Sequence, residues 1–89
     1  MLLGIDIGTS GVKAALTHPQ KGVLRAHTEP QAILTPRPGW AEQDPDVWVE
    51  KAVQAIRAVL ADGGAANAIS FSGQMHGVVV LDGDGRPLR

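Results

Sequence analysis

The segment DIGTSGVK (6–13) gathers the residue types that could bind a phosphorylated ligand. Asp6 closes an apolar run, Gly8-Thr9-Ser10-Gly11 makes a turn, and a second extended segment follows. The glycines let backbone N–H groups come close to an anion, and the hydroxyls of Thr9 and Ser10 add donors. A carboxylate cannot face phosphate without repulsion. Asp6 in this setting therefore needs a cation between the two, most naturally hydrated Mg²⁺. The loop is not a Walker A motif, because no Gly-Lys-Ser/Thr follows and the next element reads as a strand. The dinucleotide fingerprint is absent as well. Two readings stand: a hairpin whose aspartate caps its own turn, and a metal–phosphate site. An aspartate inside the most apolar strand of the chain favours the second.

A second candidate is GQMHG (73–77). The His76 imidazole can donate and accept at once, which suits a polyol hydroxyl, and it can equally serve as a satisfied structural histidine. Met75 is either core filler or a contact that adapts to an irregular pocket. In PGWAEQDPDVW (38–48), Trp40 is expected to anchor its loop by burial, while Glu42 and Gln43 hydrogen-bond the loop backbone. Trp48 is assigned to the core. Asp82-Gly83-Asp84-Gly85 lacks the third ligand position and the distal Glu of a calcium loop, so it reads as a tight hairpin turn. His18 and His27 lie on a turn and a polar strand face and are given no role.

The elements that must hold these groups are legible in the pattern. LLGIDIG (2–8) is apolar at nearly every position, as in a central strand covered on both faces. Leu3, Ile5 and Ile7 share one face of it. Asp6 shares the other with Leu2, Gly4 and Gly8, where little side-chain volume fills the space. Residues 12–17 and 23–29 read as two further strands separated by HPQKG (18–22), so three strands with short turns make an antiparallel meander. Four of the six prolines fall between Pro30 and Pro45 and predict an extended loop. Asp44 as N-cap with Pro45 at the first helical position starts a helix. Trp48, Ala52, Ala55, Ile56 and Val59 define its buried face, and Gly63-Gly64 ends it. AISFSG (68–73) is a strand which, after a helical crossover, pairs parallel to the first. VVVLD (78–82) resumes extended structure.

Composition excludes several classes. Eight Lys+Arg against nine Asp+Glu give a net charge of −1 with no basic stripe, which argues against nucleic acid or an anionic membrane as the main partner. No cysteine is present, so there is no disulfide framework and no cysteine-ligated zinc. No apolar run reaches the roughly 18–20 residues a bilayer demands. The start, Met-Leu-Leu-Gly-Ile-Asp, has no basic n-region, and a secretory signal is not expected. The expectation is a cytoplasmic globular segment.

DIGTSGVK resembles the first phosphate loop of the sugar kinase/Hsp70/actin superfamily. PGWAEQDPDVW is similar to the Pro-Gly-Trp-x-Glu-x-Asp-Pro stretch of the FGGY carbohydrate kinases, and GQMHG to the sugar-contacting turn of their xylulokinase branch. Glycerol kinases carry Gln-Arg-Glu at that turn, and this chain does not. The three motifs follow the family's order and spacing across most of the chain. The resemblance implies an α/β fold of the ribonuclease-H-like, actin-like ATPase type, with residues 1–89 forming part of an N-terminal kinase domain. The remainder of that domain and the whole C-terminal domain would lie outside it. It implies ATP-dependent phosphorylation of a ketopentose, D-xylulose to D-xylulose 5-phosphate, with ATP and Mg²⁺ as cofactors. The partners are then a sugar and ATP, and a homodimer is one assembly it allows. Asp6 matches the acid that positions the metal–phosphate group through water. Gly8, Thr9, Ser10 and Gly11 match the phosphate-facing turn. Lys13 either lies near the phosphates or is a solvated strand lysine. Met75 and His76 match residues lining the sugar pocket, with Gln74 supporting the turn. The family's catalytic base is an aspartate that no residue here matches, so the chain alone is expected to be inactive. The alternatives are a kinase for another sugar or polyol of the family, and a non-catalytic actin-like nucleotide-binding module.

Overall fold

The computed structural model describes residues 1–61, 63–73 and 77–88. Four strands and one helix follow the chain as β1 (Leu2–Ile7), β2 (Gly11–His18), β3 (Gly22–Pro30), α1 (Pro45–Val59) and β4 (Ala68–Gly73). The strands form one sheet in the order β3-β2-β1-β4. β1 to β3 are an antiparallel meander, and β4 returns parallel to β1, as the crossover through α1 requires.

The core is the contact between α1 and one face of this sheet. Val12, Ala14 and Leu16 of β2 alternate inward, flanked by Leu3 and Ile5 of β1, and meet Ala55 and Val59 of the helix. The helix packs chiefly on β2 and β3. It does not reach β4, so Ile69 and Phe71, in register with Leu3 and Ile5, stay 49% and 64% exposed. The expectation that β1 is covered on both faces is corrected here. It has a strand on either side but is covered on one face only, and Leu2 and Asp6 on the other are exposed.

The helix starts where its cap residues dictate. Asp44 is extended, its Oδ1 accepts from the Asp46 N–H at 2.9 Å, and Pro45 occupies the first helical turn. Replacing Asp44 by alanine leaves that donor without its partner. A loss of about 1 kcal/mol is expected in thermal or urea unfolding, and an unchanged midpoint would show that the cap is redundant.

The end differs from the reading of Gly63-Gly64 as the stop. Leu60 caps the helix with its N–H on the Ile56 carbonyl. Arg25 of β3 donates from Nη1 to the Val59 carbonyl at 3.4 Å, placing a cation at the negative end of the helix. Gly63, at φ +83°, closes the next turn through the Leu60 carbonyl. VVVLD, read as extended structure, adds no strand to the sheet among the described residues. A single bridge, Leu81 to Pro87, closes a hairpin whose turn is held by Asp82 Oδ1 accepting from the N–H groups of Asp84 and Arg86, both at 2.9 Å. The hairpin reading of Asp82–Gly85 therefore stands.

Candidate functional site

Sheet register assembles the site around Asp6. On the face away from α1, Asp6 pairs with Lys13 of β2 on one side and Ser72 of β4 on the other. Ser72 Oγ donates to Asp6 Oδ1 at 2.9 Å, which fixes the carboxylate while leaving it exposed. Next to it along β1, a Cβ added at Gly4 would meet nothing within 4 Å. The neighbourhood of the acid is open. Among the described residues no three His, Cys, Asp or Glu converge as a metal cage. A cation here would be held by one carboxylate, water and the ligand's own oxygens, the donor set that suits Mg²⁺ on a phosphate.

The turn after β1 is built by its own backbone and by the loop that follows β3. The Gly8 N–H donates to the Gly11 carbonyl at 2.9 Å, so that amide is engaged within the turn and not offered to an anion as the glycine argument expected. Gly11 is required by packing. A Cβ there would lie 2.8 Å from the Glu29 carbonyl oxygen of β3. Thr9 and Ser10 are the exposed residues of the turn.

Three successive carbonyls of this turn accept hydrogen bonds from the loop. Gln31 Nε2 donates to Gly8 O at 2.7 Å, Gln43 Nε2 to Thr9 O at 2.6 Å, and the Gln31 backbone N–H to Ser10 O at 3.0 Å. The indole N–H of Trp48 donates to Gln43 Oε1 at 3.1 Å. The loop itself is pinned by Leu34 and Glu42, which exchange backbone hydrogen bonds at 2.7 and 2.8 Å.

These contacts correct the reading of the tryptophan segment. Trp48 is not in the core. Its position one turn into α1 carries the helix's inward stripe beyond the sheet, where it meets Gln43 and an open cleft instead. Trp40 is 39% exposed and anchors by stacking, with the Arg37 guanidinium 5.0 Å from its ring centroid, not by burial. The Gln43 side chain also bonds the turn after β1 across the fold.

The cleft has a volume of about 670 Å³ and a mainly apolar lining. Ile7 and Thr9 form part of it at the end of β1, Gln43 and Trp48 line it from the loop and the helix, and Gly73 at the end of β4 and Val78 beyond it add to the lining. Gly73 and Gly77, the two ends of GQMHG, both border it. Gln74, Met75 and His76 themselves lie outside the described residues.

Of the residues singled out from sequence, Asp6 and Lys13 share one open face, and Thr9 meets the flanks of GQMHG in one cleft. Sequence reasoning missed Gln31 and Ser72. Ser72 has a signal once parallel pairing is assumed, since the register puts it opposite Asp6. Gln31 has none, being one polar residue in an aperiodic loop.

Comparison with known proteins bears on the whole segment. The model of the N-terminal domain of the FGGY family of carbohydrate kinases matches residues 1–89. The chain is 42% identical over 94 aligned residues to the xylulose kinase of Escherichia coli (strain K12), covering 100% of this chain and 19% of that protein. A crystal structure of a xylulose kinase from Brucella ovis superposes with a TM-score of 0.90 at 42% identity, over 98% of this chain and 19% of that one. A gluconate kinase from Lactobacillus acidophilus matches with a TM-score of 0.91 at 26% identity, over 99% of this chain and 18% of that one. The chain therefore spans about one fifth of the length of the relatives it matches. Its mixed sheet and single helix have the arrangement found in these structures, the actin-like ATPase fold.

Proposed function

The chain belongs to the FGGY family of carbohydrate kinases, and on that premise we propose that it forms part of the N-terminal domain of an enzyme that transfers the γ-phosphoryl group of ATP to a ketopentose, D-xylulose foremost. The observation that carries this reading is the cleft that Thr9 shares with Gly73 and Gly77. It brings the turn suited to phosphate within one cavity of the ends of the segment suited to a polyol. Its volume of about 670 Å³ lies within the usual range for small-ligand sites.

Asp6, oriented by Ser72, would hold Mg²⁺ through water. When bound, Mg²⁺ and ATP supply the phosphoryl group and the charge that screens it. The turn Gly8–Gly11 orients the phosphates, and Lys13, beside Asp6 on the same face, adds a positive charge. Gln74, Met75 and His76 hold the sugar. The aspartate that takes the proton from the sugar hydroxyl belongs to the remainder of the full-length protein, which is cytoplasmic.

The likeness to a gluconate kinase favours a second reading, in which the same site serves another sugar of the family. Steady-state kinetics of the full-length protein, with each substrate varied, separates the two. D-Xylulose is expected to give a higher kcat/KM than gluconate or glycerol. In the same assay His76→Ala removes a hydrogen bond to the sugar at a cost of about 1–3 kcal/mol, equivalent to a rise of roughly 5- to 150-fold in sugar KM. The KM for ATP is expected to stay near its starting value. A variant that keeps its sugar KM and weakens ATP instead would remove GQMHG from the sugar site.

A further inference from the structure

We propose that Gln43 is a positioning residue for the turn Gly8–Gly11, with its amide set by Trp48 and with Gln31 as a second brace. The inference rests on the reading of that turn as phosphate-facing and adds a device that holds it in a competent orientation.

In a trans peptide the C=O and the following N–H point in opposite directions, and no cis bond occurs among the described residues. The carbonyls of Gly8, Thr9 and Ser10 are all drawn towards the loop by Gln31 and Gln43. The N–H groups of Thr9, Ser10 and Gly11 must then point away from the loop. A run of amides with one sense is what an anion requires.

Such a turn does not hold itself in that sense. Glycine at both ends, Gly8 and Gly11, lowers the barrier to rotating the peptides between them. One flipped peptide would aim a carbonyl oxygen at the phosphate. The bond from Gln43 Nε2 to Thr9 O, 2.6 Å long, removes that alternative at the middle peptide. The Gln43 amide has two ends, and only the nitrogen end can do this. Trp48 selects it, because the indole N–H donates and therefore demands the oxygen end, which it meets at 3.1 Å. The relay Trp48 to Gln43 to Thr9 is thus polar in one direction only. All three residues also line the cleft, so the brace stands where a ligand would sit.

Gln43→Met keeps length, volume and charge and removes both the donor to Thr9 and the acceptor for Trp48. Trp48→Phe keeps an aromatic ring and removes the indole N–H along with the pyrrole part of the ring. In the full-length protein Gln43→Met is expected to lower kcat/KM for ATP roughly ten- to hundredfold through misplacement of the phosphates, with the thermal midpoint and the sugar KM little changed. Trp48→Phe should give a smaller loss, and the double variant should be no worse than Gln43→Met alone, since the indole acts through the amide. Amide hydrogen exchange of the ligand-free protein supplies a reading independent of activity. The peptide spanning residues 8–11 should exchange several-fold faster in Gln43→Met.

Full activity and unchanged exchange in Gln43→Met, or additive losses in the double variant, would overturn the proposal and make Gln43 a packing residue. If the protein phosphorylates no sugar, the functional reading fails on that result, while exchange in the turn still decides whether Gln43 holds it.

Discussion

Residues 1–89 alone are expected to release no ADP from ATP when D-xylulose is added. Phosphoryl transfer depends on positioning and charge stabilisation from both sides of a cleft. The described residues supply one wall of the cleft, the turn after β1 and the edge lined by Gly73 and Gly77, with the carboxylate of Asp6 on the neighbouring open face of the sheet. On the proposed function, the catalytic base lies in the remainder of the full-length protein. The sheet adds a physical obstacle, since Ile69 and Phe71, on the core side of the sheet but beyond the reach of α1, lie 49% and 64% exposed, and Val78 is 84% exposed. Apolar surface of that kind favours association over a monomer with fixed packing. A coupled assay of the purified chain checks the first point, and sedimentation with thermal melting the second. Xylulose-dependent ADP release, or a sharp melting transition of a monomer at all concentrations, would overturn the reading of this segment as part of a larger catalytic domain.

Asp6→Asn in the full-length protein is expected to lower kcat by roughly 100- to 1,000-fold, the range seen when one charge-stabilising group is removed from a polar active site. The substitution preserves shape, and its carbonyl oxygen can still accept from Ser72 Oγ, whose bond to Asp6 Oδ1 is 2.9 Å in the present structure. What is lost is the charge. A cation held by a single carboxylate, water and phosphate oxygens depends on that charge most when the transferred group carries its greatest share of it, so turnover falls more than ATP binding does. The sugar KM should hardly move, because His76 and not Asp6 is assigned to the sugar. Rescue of activity by raised Mg²⁺ would be consistent with weakened metal binding. A variant with unchanged kcat and a raised sugar KM would move Asp6 out of the phosphate site.

The Asp6, His76 and Gln43 variants separate what the candidate site does from what holds it. Asp6 and His76 would touch the ligands, and each should change one kinetic parameter strongly. Gln43 acts through Thr9, so its effect should also be visible without any ligand, as faster exchange in the turn. Lys13 stands between these cases. Its register opposite Asp6 puts it on the right face, and its side chain is exposed.

What could be read from the residues was whatever depends on near neighbours in the chain. Alternation in LLGIDIG placed Leu3, Ile5 and Ile7 on one face and Asp6 on the other, because strand periodicity needs no knowledge of the partner, but it did not show that only one face is covered. Asp44-Pro45 fixed the helix start to the residue, since a cap is a bond between atoms two positions apart. The Asp82 turn was legible for the same reason. Long-range geometry was not. Trp48 lies on the same helical stripe as Ala52, Ala55 and Val59, yet the sheet ends before it, and a stripe is core only where something covers it. Trp40 looked like a buried anchor, but Arg37 provides its partner at the surface. Gln31 and Gln43 lie 23 and 34 positions from the carbonyls they hold, and no pattern in a proline-rich loop announces such bonds. The chain's own order of residues thus determined its strands, its helix and the presence of an acid beside a glycine turn. Only the folding of the loop back over that turn decided which way its peptides face, because a hydrogen bond across the fold exists once the sheet register has brought its two ends together.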